Sequence, residues 1–134
     1  DSLIPRRYEE IRINGSFETL MIYFKIFKEY CHSNKRNLSI MVNPMNMNWE
    51  EMIEFVRFTE KHNCALWYNT VLYPMHVTIK HSSSKDLQKI ILYLNKEIKK
   101  VKGYRNYSEA ENLINLIEVW YLDSVDGTTI SRGV

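Results

Sequence analysis

Residues 38–73 read LSIMVNPMNMNWEEMIEFVRFTEKHNCALWYNTVLY, and the fold is decided there. Leu38-Ser39-Ile40-Met41-Val42 is a short, mostly apolar run, the pattern of a strand buried on both faces in a parallel sheet. Pro44 ends it, because proline cannot donate to a central ladder. Asn48 followed three residues later by Glu51 has the form of a capping box. Met52, Ile53, Phe55, Val56 and Phe58 then give a helix an apolar side as far as His62. Ala65 to Tyr73 is rich in aromatic and β-branched residues, which predicts a second strand stopped by Pro74. Strand (38–43), helix (49–62), strand (65–73) is a crossover unit, so the two strands are expected to be parallel and joined by a right-handed connection.

The flanks are helical. Residues 3–12 form a short helix with Pro5 in its first turn. Asn14-Gly15 breaks it, and Ser16 caps a second helix to about Ser33. Phe17, Leu20, Met21, Phe24, Phe27 and Cys31 line that helix at three- and four-residue spacing. After the second strand, His76 to Lys80 reads as a brief extended edge. Ser83 or Ser84 caps a helix to about Lys102, striped by Leu87, Ile90, Ile91, Leu94, Ile98 and Val101, and Gly103 stops it. Ser108 with Glu111 has the form of a second capping box. The helix it opens carries Leu113, Ile114, Leu116, Ile117, Trp120 and Tyr121. Asp123 to Val134 reads as a polar, mobile tail.

Composition narrows the function classes. The chain has 134 residues, 45% hydrophobic and 25% charged, which suits one globular domain. A formal charge of +2 gives no reason to expect nucleic acid. Lys96, Lys99, Lys100, Lys102 and Arg105 fit the end of a helix, where cations oppose the dipole. No apolar run approaches the roughly 18 residues that cross a bilayer, so no membrane partner is expected. The two cysteines, Cys31 and Cys64, cannot make a disulfide scaffold and suit a reducing cytoplasm. The opening Asp1-Ser2-Leu3-Ile4-Pro5 carries neither an initiator Met nor a signal pattern and reads as a piece cut from a longer protein.

Motifs are few. Four scattered glycines build neither a Walker loop nor a dinucleotide loop, and there is no G-x-S-x-G elbow. Cys31-His32 lies in a helical stripe, where neighbouring residues point about 100° apart. Cys31 is then core and His32 surface. His62, Cys64, His76 and His81 lack paired metal-ligand spacing, so no catalytic or metal-ligating residue is assigned. The polar residues at the strand ends are the candidates for binding: Asn43 and Asn46 after the first strand, Asn69 and Thr70 within the second. In parallel α/β sheets, ligands sit beyond the carboxyl ends of the strands. Asn48 has a sufficient structural role as a cap.

Three stretches carry a family resemblance. Tyr8-Glu9-Glu10-Ile11-Arg12 through Gly15-Ser16-Phe17-Glu18 resembles the "YExIRxxGxFE" segment after the fourth barrel strand of radical S-adenosylmethionine enzymes, and Asp1-Ser2 resembles that strand's end. Pro44-Met45-Asn46-Met47-Asn48-Trp49-Glu50-Glu51 is similar to the exit of the fifth strand. Tyr68-Asn69-Thr70-Val71-Leu72-Tyr73-Pro74 is similar to the sixth. The match covers about residues 1–100, in order. It implies a partial (β/α) barrel, the C-terminal half of an iron–sulfur oxidoreductase over residues 1–102, with a helical extension and polar tail over 103–134.

The family holds a [4Fe–4S] cluster through a C-x-x-x-C-x-x-C loop after its first strand. S-adenosylmethionine fills the open iron and is cleaved to a 5′-deoxyadenosyl radical. That loop is absent here, so this chain by itself holds no cofactor and is inactive, while the parent uses both. The resemblance places Asn43, Asn46, Asn69 and Thr70 against cofactor or substrate, although several relatives carry Arg or Lys near Asn46. Tyr73 and Pro74 shape the rim, and Arg12 serves packing or a salt bridge. The implied partner is the missing N-terminal half of the barrel, and open sheet edges imply self-association. The alternative is a non-catalytic α/β binding or scaffold domain.

Overall fold

The computed structural model describes the backbone of residues 1–132 and side chains as far as Asp126. The chain is α/β and mostly helical: α1 (Pro5–Ile11), α2 (Phe17–Ser33), β1 (Ser39–Val42), α3 (Met52–His62), β2 (Ala65–Tyr68), α4 (Ser84–Ile98) and α5 (Tyr107–Arg132). Single 3-10 turns precede α3 (Trp49–Glu51), precede α4 (Met75–Val77) and follow α4 (Lys99–Val101).

β1 and β2 pair in parallel, Ser39 opposite Ala65 and Val42 opposite Tyr68. The sheet holds these two strands among the described residues. Side chains alternate across it. Val42 and Leu66 are buried against the helices, whereas Met41 and Trp67 are 64% and 52% exposed on the opposite face. The expectation of strands buried on both faces is therefore corrected. The helices cover one face, which packs on the core of Met52, Phe55 and Val56 (α3), Leu87, Ile90 and Leu94 (α4) and Leu113, Ile114 and Ile117 (α5).

Serines cap two helices by the local chemistry their positions predict. Ser16 Oγ accepts from Thr19 N at 3.3 Å, and Ser83 Oγ accepts from Asp86 N at 3.1 Å. α3 ends at Asn63, left-handed at φ +56°, with Cys64 N donating to Thr59 O at 2.9 Å. Gly103, at φ +88°, turns the chain after α4.

Five further expectations change. Asn48 and Glu51 form no capping box; both side chains reach back to residues 1–7 instead. The second strand stops at Tyr68, because a ladder can be no longer than its partner and β1 has four residues. Residues 76–80 are not an extended edge; Met75–Val77 is a 3-10 turn. Ser108 lies inside α5, which starts one residue earlier. The helix also continues through the stretch expected to be a polar tail, as far as Arg132. The last two positions of that tail, 133–134, lie outside the described residues.

α2 departs most from its pattern. Its apolar stripe predicts a buried helix, yet none of its 17 residues is buried. It rests on α3 through Phe24, whose ring lies 5.2 Å from Phe58 and 5.2 Å from His62. Cys31 is half-buried, and Phe27 is 59% exposed.

Candidate functional site at the strand carboxyl ends

Parallel pairing brings the carboxyl ends of β1 and β2 side by side, and the residues that follow them meet there. Asn69 N continues the ladder to Val42 O at 2.8 Å. Asn69 Nδ2 donates to Asn43 Oδ1 at 3.1 Å. Both side chains are reachable from solvent: Asn69 is exposed and Asn43 half-buried. With that bond made, the Asn43 amide nitrogen and the Asn69 amide oxygen remain as a donor and an acceptor at one place.

The turn after β1 is held from beneath by Asn48, which is 1% exposed. Its Oδ1 accepts from Met45 N at 2.7 Å. Its Nδ2 donates to Asn43 O at 2.9 Å and to Asp1 O at 2.7 Å. Asp1 Oδ1 in turn accepts from Asn43 N at 3.0 Å. The backbone of Asn43 is therefore fixed on both sides, and a fixed backbone directs its side chain.

Asn46 points elsewhere. Its Nδ2 donates to His76 O at 3.1 Å, and its Oδ1 accepts from Ser82 Oγ at 3.0 Å. Both ends of that amide serve to hold the 75–82 loop. Asn69 and Thr70 line a cavity of about 100 Å³ with Pro44, Glu109 and Trp120. Tyr73 stands 84% exposed and Pro74 half-buried, outside the lining of that cavity. The structure thus joins Asn43, Asn69 and Thr70 and leaves Asn46, Tyr73 and Pro74 apart from them. Arg12 pairs with Asp1 at 2.6 Å.

Sequence reasoning passed over two groups. Glu51 is 5% exposed and accepts from Ser2 Oγ at 2.7 Å, Leu3 N at 2.8 Å and Arg7 at 2.9 Å. These bonds tie the chain start beneath the strand ends and offset the cost of burying the carboxylate. The second group comes from the start of α5. Asn106 Oδ1 accepts from Leu66 N at 3.2 Å, and Glu109 Oε1 accepts from Tyr68 N at 3.3 Å. Tyr68 OH donates to Met52 O at 2.5 Å. Burial and, secondarily, Glu109 raise the Tyr68 pKa well above the ordinary phenol value, so this hydroxyl is a fixed donor rather than a base.

The ionisable groups at the amino ends of the strands are arranged differently. Cys64 is buried and its thiol is pushed up, first by that burial. His62 Nδ1 lies 2.9 Å from Lys28 Nζ. Burial and then Lys28 and Lys61 push its pKa below 6.5. No group of three His, Cys, Asp or Glu side chains converges to hold a metal among the described residues. A [4Fe–4S] cluster takes at least three thiolates, and the chain has two cysteines. Its own residues therefore do not fit that cluster. No described helix is long and apolar enough to cross a membrane.

Comparison with family models, with curated proteins and with solved structures found no match to this chain.

Proposed function

We propose that this chain is the back half of a radical S-adenosylmethionine barrel, contributing the strand-end surface that meets cofactor and substrate. The observation that carries the reading is the parallel β1–α3–β2 unit with Asn43 and Asn69 joined at its carboxyl ends. Support also comes from the sheet face bearing Met41 and Trp67, which corresponds to the lumen of a closed barrel. In this reading Asn43, Asn69 and Thr70 face the ligand, Tyr73 and Pro74 stand at its rim, and Asn46 braces the neighbouring loop. The cluster ligands come from polypeptide outside these residues, in a reducing cytoplasm. The chain alone performs no cofactor cleavage.

The test is the reading frame upstream of Asp1. A C-x-x-x-C-x-x-C segment roughly 100 residues before it is expected, the distance of half a single-domain barrel. An initiator Met directly before Asp1 refutes the reading.

A second reading, a non-catalytic binding or scaffold domain, is favoured by the exposed apolar side of α2. Such a surface marks an interaction site. A parent frame without the cysteine loop selects it.

A further inference from the structure

Because the strands run parallel, both begin at the same end of the sheet, and α2 and α3 each finish there. A cavity of about 740 Å³ opens at that end, away from the end where Asn43 and Asn69 meet. Four cations line it: Lys28 from α2, Arg36 from the turn that follows, Lys61 from the last turn of α3 and Arg105 from the turn into α5. Glu29 is the one carboxylate in that lining among the described residues. Beside it, Glu60 accepts from Arg105 N at 2.8 Å, a bond to the backbone and not to the guanidinium.

The arginines set this place apart. Of the six whose side chains are described, Arg6, Arg7, Arg12 and Arg57 pair with Glu10, Glu51, Asp1 and Glu54. Arg36 and Arg105 meet no carboxylate among the described residues, and both stand at this cavity. The helix ends do not use up the charge. Cations are favoured there, but the last carbonyls are already met by backbone amides: Tyr30 O by Asn34 N at 3.0 Å, Cys31 O by Arg36 N at 2.8 Å and Thr59 O by Cys64 N at 2.9 Å.

Lys28 adds a second observation. It is half-buried, and its ammonium donates to His62 Nδ1 at 2.9 Å. An ammonium cannot accept, so Nδ1 is the acceptor and the ring is neutral. Phe24 and Phe58 hold that ring, their centroids 5.2 and 4.4 Å away. Burial, then Lys28 and Lys61, lowers the His62 pKa, so the ring lies in a positive field. Half-burying a cation against a neutral partner is costly, and an anion in the cavity offsets that cost.

We propose that this cavity binds a phosphate group, free or as the monoester of a small molecule, with Arg36 and Arg105 on its oxygens and Lys28 and Lys61 supplying further charge. A phosphate dianion has enough free oxygens to meet two guanidinium forks at once, which a single carboxylate does not. The volume leaves room for an organic group, within the range of small-molecule sites. The cations surround a hollow instead of forming a stripe along one face, which favours a compact ligand over a nucleic-acid backbone. The site lies at the amino ends of the strands and does not depend on what their carboxyl ends bind.

The test titrates the full chain with inorganic phosphate and with ribose 5-phosphate, by calorimetry and by NMR of the His62 ring, in about 0.1 M salt to screen loose association. Saturable binding of either is expected; tighter binding of the ester assigns a small-molecule phosphate, and equal binding assigns free phosphate. Bound phosphate is expected to raise the His62 pKa, since an anion favours the imidazolium. The groups facing the cavity with His62 are Lys28, Glu29, Cys31 and His32 of α2, Lys61 of its own helix, and Arg36 and Arg105. His32 titrates in the same range, so its resonance is assigned separately. Arg36 and Lys61 are exposed, so Arg36→Gln and Lys61→Gln should fold; each is expected to weaken binding at least about fivefold, the loss of a charged hydrogen bond or ion contact. Lys89→Gln, on α4 beside a different cavity, is expected to leave binding unchanged. Absence of saturable binding overturns the proposal, as does an equal loss in Lys89→Gln. Tighter binding of citrate or of a single-stranded oligonucleotide than of either phosphate also overturns it.

Discussion

Asn106 does more than its position before a helix requires. Its amide oxygen takes Leu66 N, and its nitrogen serves Thr59 Oγ1 at 2.8 Å and Cys64 O at 2.9 Å. The residue is buried, so truncation leaves a β2 amide and a carbonyl without partners. Each orphaned buried group costs about 1–3 kcal/mol. Asn106→Ala is therefore expected to lower unfolding free energy by about 2–4 kcal/mol, read from the urea midpoint at unchanged slope. A loss below about 0.5 kcal/mol, the range of ordinary surface changes, would show that water replaces the side chain. His62 offers a pH test at the same scale. Its folded pKa is lowered, by burial first and by Lys28 and Lys61 next. The unfolded chain therefore binds the proton more readily, and stability is present above pH 6.5 and lost as pH falls through the folded value. In His62→Gln that part of the acid-side slope is absent, so the stability difference from the parent should change as pH drops below 6.5 and stay flat above it. A difference independent of pH would remove His62 from the account.

At the scale of elements, two strand positions next to each other in sequence separate burial from propensity. Leu66 is 2% exposed against α3 and α5, whereas Trp67 is 52% exposed on the uncovered face. Leu66→Ala is expected to cost about 2–5 kcal/mol, and Trp67→Ser about 0.5 kcal/mol or less, by chemical denaturation. Equal losses would mean that the second face is covered. The same logic explains what could be read in advance. The caps at Ser16 and Ser83 were legible because donor and acceptor lie three residues apart. The identical pattern at Asn48 and Glu51 misleads, because partners some 44–49 residues earlier in the chain outbid the local ones. The run 65–73 has strand composition throughout, but only the residues opposite β1 can pair. Asn43 and Asn69 were visible as polar residues at strand ends. Asn106 and Glu109 were not, since their role exists only once α5 lies along β2.

For the whole molecule, one face of the sheet carries the core and the other meets solvent. α3, α4 and α5 share the buried cluster with β1 and β2, while Met41 and Trp67 stand on the bare side. The three tryptophans report this division. Trp49 is half-buried and packs edge-on against Tyr93 at 5.4 Å. Trp120 is half-buried beside the strand-end cavity. Only Trp67 is exposed among them. Acrylamide should therefore quench Trp67 most strongly, and Trp67→Phe should remove the largest share of the quenchable emission along with its red edge. If quenching is unchanged in that variant, the bare face is closed in solution and the one-sided packing is wrong. The proposed barrel gives this face a further consequence. Were that barrel closed by further polypeptide, the bare side would become its lumen, and Trp67 emission should move to the blue and lose access to acrylamide. If the proposed barrel were completed and Trp67 stayed as quenchable as in this chain, the sheet would be open, with no lumen for a cofactor to enter.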